Sequence, residues 1–233
     1  MNKNIKTIVS ITAAAAFALG TAYSVAGGKG SNVSTDKKGD DKTSVVAQLA
    51  LAEQLTVYGD QNKEPMALVL AAKIKKANPD REKKREKKSE GGGKDDKKAD
   101  KGADNVDAIL ARAQGMANGD KTVIAMIDSV KDMESARGRS EGAAKHRDRV
   151  LARATDTYAL NFNGGERAAI LIKGDGDTDL DLYIYDENGN SICNDQDNTD
   201  VMLCEWYPKW TGAFYVKIKN RGSISNIYSL RTN

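Results

Sequence analysis

Two hydrophobic periods divide the chain. From Ser44, apolar residues recur at helix spacing: Val45, Val46, Leu49, Ala52 and Leu55 fall on one side of a helix that Gly59-Asp60 ends. Pro65 suits the first turn of a second helix, where its missing N–H costs nothing. Met66, Val69, Leu70 and Ile74 form that helix's apolar side, and Asn78-Pro79 stops it. The period returns after Asp104, a predicted N-cap, with Val106, Ile109, Leu110, Ala113 and Met116. Asn118-Gly119 ends this third helix, and Asp120 caps a fourth that carries Val123, Ile124, Ile127, Val130 and Met133. Each helix is short and apolar along one side, so it must pack against a partner. A single four-helix assembly is the simplest solution, and two separate helix pairs are the alternative.

From Asp156 the period becomes two. Tyr158, Leu160 and Phe162 alternate, then Ala168, Ile170 and Ile172, then Leu180, Leu182 and Ile184. Trp210, Gly212, Phe214, Val216 and Ile218 follow, and Tyr228 and Leu230 close the chain. Asn163-Gly164-Gly165, Asn188-Gly189 and Asn220-Arg221-Gly222 supply turns between these runs. Short strands at such spacing predict a β-sandwich or jelly roll. The expected fold class is therefore α+β and multidomain: about four short helices, then a C-terminal antiparallel β-sandwich. Ten of the thirteen aromatic residues lie after residue 157, which places the best-packed core there.

Composition refines this plan. Charged residues make up 30% of the chain and hydrophobic ones 39%, so part of the chain is expected outside any core. Residues 1–26 read as a signal peptide: Lys3 and Lys6 give a positive start, Ile8 to Leu19 is apolar, and Ser24-Val25-Ala26 offers small residues for cleavage. The apolar run of about a dozen residues is shorter than the roughly 20 that span a bilayer, so no stable membrane anchor is expected after cleavage. Residues 27–42 read as a linker, 43–133 as the helical region and 134–154 as a loop into the final domain, 155–233. Within the helical region, 80–103 (REKKREKKSEGGGKDDKKADKG) has no apolar residue larger than Ala and is expected to be a disordered, solvated insert. The formal charge of +3 drops to +1 without Lys3 and Lys6, which gives little field to steer the protein to nucleic acid. A secreted, periplasmic or cell-surface location is expected.

The run GDGDTDLDLYIYDENGN, Gly174 to Asn190, resembles the signature of bacterial pre-peptidase C-terminal domains. Its flanks agree: Asn163-Gly164-Gly165-Glu166 before it, Trp210-Thr211-Gly212 with Tyr215-Val216 after it, then Asn226, Tyr228 and Leu230. The resemblance covers about residues 155–233. It implies a compact β-sandwich of the kind appended to secreted peptidases, non-catalytic and serving secretion, stability or substrate attachment. Some related collagen-binding modules use calcium. Here the preceding region is helical and carries no peptidase motif, so service to a peptidase in the same chain is not expected.

Several residues are candidates for chemistry. Asp177, Asp179 and Asp181 alternate with Thr178, Leu180 and Leu182, which on a strand puts the carboxylates on one solvent-facing side, roughly 7 Å apart. Asp175, Asp177, Asp179 and Asp186 occupy calcium-loop positions 1, 3, 5 and 12, although Leu180 replaces the glycine at position 6. Calcium held by Asp175, Asp177, Asp179, Asp181 and Asp186 is one reading. Pairing with Lys or Arg and with turn amides is the other. The same carboxylates cannot flank a glycosidic bond, because side chains two apart on a strand point the same way. Cys193 and Cys204 are the only cysteines and are expected to form a disulfide in an exported chain. His146, the only histidine, lies between Lys145 and Arg147 and reads as a surface residue. Trp206, Tyr207 and Trp210 either close the sandwich core or form an exposed platform, with Tyr183, Tyr185 and Tyr215 as neighbours on an outer face.

No nucleophile, base and water-excluding pocket can be named together, so the chain is not expected to be an enzyme. The leading expectation is an exported binding or accessory protein whose sandwich engages an extracellular polysaccharide or surface protein. A structural assembly module of the envelope is the alternative, and a carboxylate-dependent hydrolase ranks below both.

Overall fold

The computed structural model describes residues 30–34, 44–93, 96, 104–134 and 142–233. The predicted signal peptide, most of the 27–42 linker, and residues 94–95, 97–103 and 135–141 lie outside the described residues. Among those described, no helix is long and apolar enough to cross a membrane.

Helix α1 (Val45–Asn62) starts at Ser44, whose hydroxyl accepts the Ala47 N–H. Helix α2 (Pro65–Ala77) opens on Pro65 as the sequence predicts. Helix α3 (Val106–Met116) is capped by Asn105, one residue after the predicted cap, because the Asn105 side chain is the one that accepts the Ala108 N–H. Helix α4 (Lys121–Asp132) is capped by Asp120, which accepts from the N–H groups of Thr122 and Val123. Helix α2 packs against each of the other three. An apolar cluster joins Leu68, Val69 and Ala72 of α2 to Ile109, Leu110 and Ala113 of α3 and to Val123, Ile127 and Val130 of α4. α1 packs along α2, with Gly59 against Leu68, and also sets Val46, Leu49 and Ala50 on a sheet.

Among the described residues, ten strands build two five-stranded sheets. In chain order they are β1 (Arg81–Glu82), β2 (Lys88–Gly91), β3 (Ala144–Val150), β4 (Ala154–Phe162) and β5 (Ala168–Lys173). The rest are β6 (Leu180–Asp186), β7 (Ser191–Asp195), β8 (Val201–Trp206), β9 (Gly212–Asn220) and β10 (Asn226–Thr232). The first sheet has the order β1-β3-β10-β5-β8 and the second β2-β4-β9-β6-β7. All pairings are antiparallel except β1 with β3. Their inner faces meet in the main core, which includes Tyr158, Ile170, Leu182, Trp206, Phe214, Val216, Tyr228 and Leu230. The outer face of the first sheet is covered: Ala169, Leu171 and Val201 pack under Val46, Leu49 and Ala50 of α1.

Two expectations are corrected. The charged insert 80–103 is not solvated throughout, because its first half supplies an edge strand to each sheet and straps the sandwich across its open side. The Lys83 N–H donates to the Lys145 carbonyl at 2.7 Å, and Arg85 Nη2 donates to Thr232 Oγ1 at 2.6 Å. Gly91 and Gly92 adopt φ of 72° and 97°, the left-handed region that a glycine pair allows as the strap leaves β2. The predicted loop 134–154 contains strand β3, paired along its whole length with β10. Its alternation is hidden in the sequence because His146 and Asp148 occupy inward positions where apolar residues are expected.

Candidate functional site

Among the described residues, no helix packs on the outer face of the second sheet. Strand alternation sends Tyr215, Lys217 and Lys219 of β9 outward while Phe214, Val216 and Ile218 enter the core. Across the sheet, Lys88, Thr157, Lys217, Tyr183 and Asn194 share one register row. Ala159, Tyr215, Tyr185 and Ser191 share the next. Tyr185 and Tyr215 are therefore direct cross-strand neighbours, with Tyr215 40% exposed. Lys217 Nζ lies 5.3 Å from the centre of the Tyr185 ring, a cation–π contact. Lys88, Thr157, Tyr185, Glu187, Tyr215 and Lys217 line an open depression of ≈ 730 Å³.

The six aromatic residues singled out from the sequence divide into two groups. Trp206 does not belong to a surface platform: it is buried, with ring centres 5.0 Å from Phe162 and 5.1 Å from Phe214. Its even place on β8 points it inward. Tyr207 accepts from Arg167 Nε at 2.8 Å, and its carbonyl accepts the Ser34 N–H. Trp210 is 39% exposed and donates Nε1–H to Glu187 Oε1 at 2.5 Å, which ties it to one rim of the depression. Its backbone is held on both sides by the Asn32 amide. Gly164 packs so close to Trp210 that a Cβ there would lie 2.6 Å from the Trp210 Cα, so this turn requires glycine. The Tyr183 hydroxyl lies 2.9 Å from Asp181 Oδ2 and 3.1 Å from Gln196 Oε1. Burial and then Asp181 raise its pKa.

The five aspartates are spread over several tasks. Asp175 accepts the N–H groups of Asp177 and Ile227. Asp179 gives its carbonyl to the Arg221 N–H. Asp181, expected in solvent, is buried and pairs with Arg221 at 3.3 Å. Asp186 points inward and organises a turn, accepting the N–H groups of Asn32, Asn188 and Asn190 and the Asn190 side-chain amide. Burial alone would raise its carboxyl pKa, but these donors outweigh burial and hold it below the usual carboxylate range. Asp200, unremarked in the sequence, faces this end. Burial pushes its carboxyl up, Lys173 pulls it down, and Asp175 and Asp179 add to the rise. Among the described residues, no group of three or more Asp, Glu, His or Cys is arranged to hold a metal ion.

Cys193 of β7 and Cys204 of β8 form the expected disulfide, with Cα atoms 6.1 Å apart. It links the outermost strands of the two sheets. The strap closes the opposite side with a polar cluster that sequence reasoning missed. Lys87 Nζ lies 2.8 Å from both Asp148 Oδ1 and Asp156 Oδ2. Asp156 also accepts from Ser89 Oγ and the Tyr228 hydroxyl. The Tyr158 and Tyr228 hydroxyls are 2.5 Å apart, and burial pushes both phenols well above their ordinary pKa. His146 belongs to this cluster and not to the surface: its side chain is 11% exposed, packed edge-on against Tyr158, with Nε2 3.3 Å from Asp148. Its ion pairs and hydrogen bonds tie the strap to β3, β4 and β10.

No family model matches the chain, and no curated protein matches it. Among solved structures, the chain is similar to the pre-peptidase C-terminal domain of collagenase from Bacillus anthracis, at 14% identity over 39% of this chain and 89% of that one, with a TM-score of 0.34. It is also similar to the Yersinia pseudotuberculosis-derived mitogen, at 15% identity over 40% and 85% of the two chains and a TM-score of 0.33. A third is a periplasmic inhibitor of g-type lysozyme from Aeromonas hydrophila, at 15% identity over 39% and 84% and a TM-score of 0.31.

Proposed function

We propose that the protein is an exported, non-catalytic binding module whose second sheet holds an extended polymer outside the cytoplasm. The observation that carries this reading is the unequal treatment of the two outer sheet faces. One is sealed by α1 through Ala169, Leu171 and Val201. The other presents Tyr185, Tyr215 and Lys217 along a shallow depression with polar rims. Partly exposed aromatic rings fixed on a rigid sheet keep apolar area available for a partner at little entropic cost. The Cys193–Cys204 disulfide supports an oxidising compartment.

The test is retention of the full chain on immobilised cell-wall polysaccharides and on collagen. Tyr215→Ala is expected to weaken retention about tenfold, the equivalent of ~1.4 kcal/mol. Its ring is largely outside the core, so thermal stability should hold. Equal retention of Tyr215→Ala, Tyr185→Ala and the unaltered chain would remove the sheet face from the mechanism.

A further inference from the structure

We infer that Lys87 of the strap and Asp156 of β4 join in an intramolecular amide bond, a covalent staple that the folded chain forms by itself with Asp148 as the base.

The reacting groups are already in contact. Lys87 Nζ lies 2.8 Å from Asp156 Oδ2 and 2.8 Å from Asp148 Oδ1, and it donates to the Arg149 carbonyl at 2.6 Å. This ion pair is the unreacted state. In water both groups stay ionised and do not condense. Here the Asp156 side chain is 1% exposed and that of Lys87 19%. Burial disfavours both charges, so it favours passing one proton from the ammonium to Asp156, which sets a neutral amine against a neutral carboxyl. The fold also replaces a bimolecular encounter by a held contact.

The two carboxyls are not equivalent, and their neighbours divide the roles. Asp156 takes a hydroxyl donor on each oxygen: Ser89 Oγ on Oδ1 at 2.5 Å and the Tyr228 hydroxyl on Oδ2 at 2.8 Å. Fixed neutral donors stabilise the negative charge that develops on a carboxyl oxygen when a nucleophile adds, so Asp156 is the electrophile. Asp148 takes the Arg149 N–H at 2.7 Å and also faces Lys87 and His146. Burial alone would raise its carboxyl, but these donors outweigh burial and hold it below the ordinary carboxylate range. It therefore stays ionised and able to accept a proton from the nitrogen it touches.

The step balances without a further reactant. Nζ of the neutral lysine forms a bond to Cγ of Asp156. Asp148 takes a proton from that nitrogen and passes it to the Asp156 hydroxyl, whose bond to Cγ breaks as water leaves. One ammonium and one carboxylate become one secondary amide and one water, and Asp148 ends as it began. The bond would join positions 69 residues apart and fix the strap to β4, on the side of the sandwich away from Cys193–Cys204. Both open sides would then be closed covalently, one of them beyond the reach of reductant.

The experiment is intact mass spectrometry of the full, folded chain after its disulfide is reduced. The chain is expected to be lighter by one water than its sequence gives from the N-terminus present. Fragment spectra should show the peptide holding Lys87 joined to the peptide holding Asp156. Lys87→Arg and Asp156→Ala are expected at full mass. Asp148→Asn leaves both reacting groups in place and should link roughly a hundredfold more slowly, as loss of a general base does. Circular dichroism is read on each variant, and if one fails to fold, the mass and linkage of the unaltered chain still decide. Full mass in the unaltered chain after prolonged incubation in the folded state would overturn the inference. So would a water lost at any other residues. A bond mapped to Lys87 and Asp148 would overturn the division of roles, and an Asp148→Asn chain that links at the unaltered rate would remove Asp148 as the base.

Discussion

The Lys87 ammonium sits 2.8 Å from two carboxylates, one of them, Asp156, almost fully buried. A buried charge persists only when paired and hydrogen-bonded, and Asp156 meets both conditions through Lys87, Ser89 and Tyr228. Removing the cation strands the anions, which typically costs on the order of 3 kcal/mol. Asp148 adds a pH signature. Burial would raise its carboxyl, but hydrogen bonds from Lys87, the Arg149 N–H and His146 more than offset this and lower it below the ordinary value. A carboxyl with a folded pKa below its unfolded one binds protons first in the unfolded chain. Its stabilisation is complete above the unfolded value, near pH 4, and is lost as pH falls through the folded value. Urea unfolding followed from pH 7 to about pH 2 should therefore show a plateau and then a decline. Lys87→Met should lower that plateau by about 3 kcal/mol and weaken the decline. A Lys87→Met variant as stable as the unaltered chain would refute the strap as a clamp. Within the run REKKREKKSE nothing marks Lys87 out from the lysines beside it. Its role depends on Asp148 and Asp156, more than sixty residues later, and local composition cannot report such a partner.

Strands were legible where their neighbours allowed strict alternation. β4, β5, β6, β9 and β10 each bury every second residue in the main core, and their apolar positions announce this. Three kinds of strand escaped. β1 and β2 are exposed edges that bury no apolar side chain, so composition carries no signal. β3 places a polar cluster on its inner side. β7 and β8 flank a polar turn that reads as a loose loop, although Met202, Cys204 and Trp206 do alternate inward. The acidic signature around Asp175 to Asp186 was visible as chemistry, but its geometry was not, because the amides of the turn after β6 and Arg221, just beyond β9, absorb its charge. The disulfide was legible from compartment and count alone, and its structural meaning comes from topology. β7 and β8 are the terminal strands of different sheets, so Cys193–Cys204 ties the layers together where no strap crosses. Changing both cysteines to serine is expected to cost roughly 3 kcal/mol, the loop-closure value for a bridge this short. The loss should appear as a lower urea midpoint that added reductant reproduces in the unaltered chain. No change on reduction would show that the strap and core suffice to hold the layers.

At the scale of the whole molecule, the boundary at residue 155 suggested by the resemblance is not a physical boundary. β1, β2 and β3 lie before it and complete one side of both sheets. α1 covers the outer face of the first sheet, where Ala169 and Leu171 are fully buried. A charged network crosses the same interface: Arg231 of β10 meets Glu53 of α1 at 3.2 Å and Asp80 of the strap at 2.8 Å, and Glu53 also holds Lys75 of α2 at 2.9 Å. Glu53 and Arg231 are buried, so separating the layers would expose apolar surface and strand opposite charges at once. Helices and sheets should therefore unfold together. In the full chain, the far-ultraviolet helical signal and the fluorescence of Trp206, which sits deep in the sandwich, are expected to change at one denaturant midpoint. A fragment of residues 155–233 lacks three strands, the helix over Leu171, the Lys87 and Ser89 partners of Asp156, and the Glu53 and Asp80 partners of Arg231. It is expected to melt without a cooperative transition. Two separated midpoints in the full chain, or a sharp melt of the fragment, would show that the sandwich stands alone and that the strap is an ornament on an independent module.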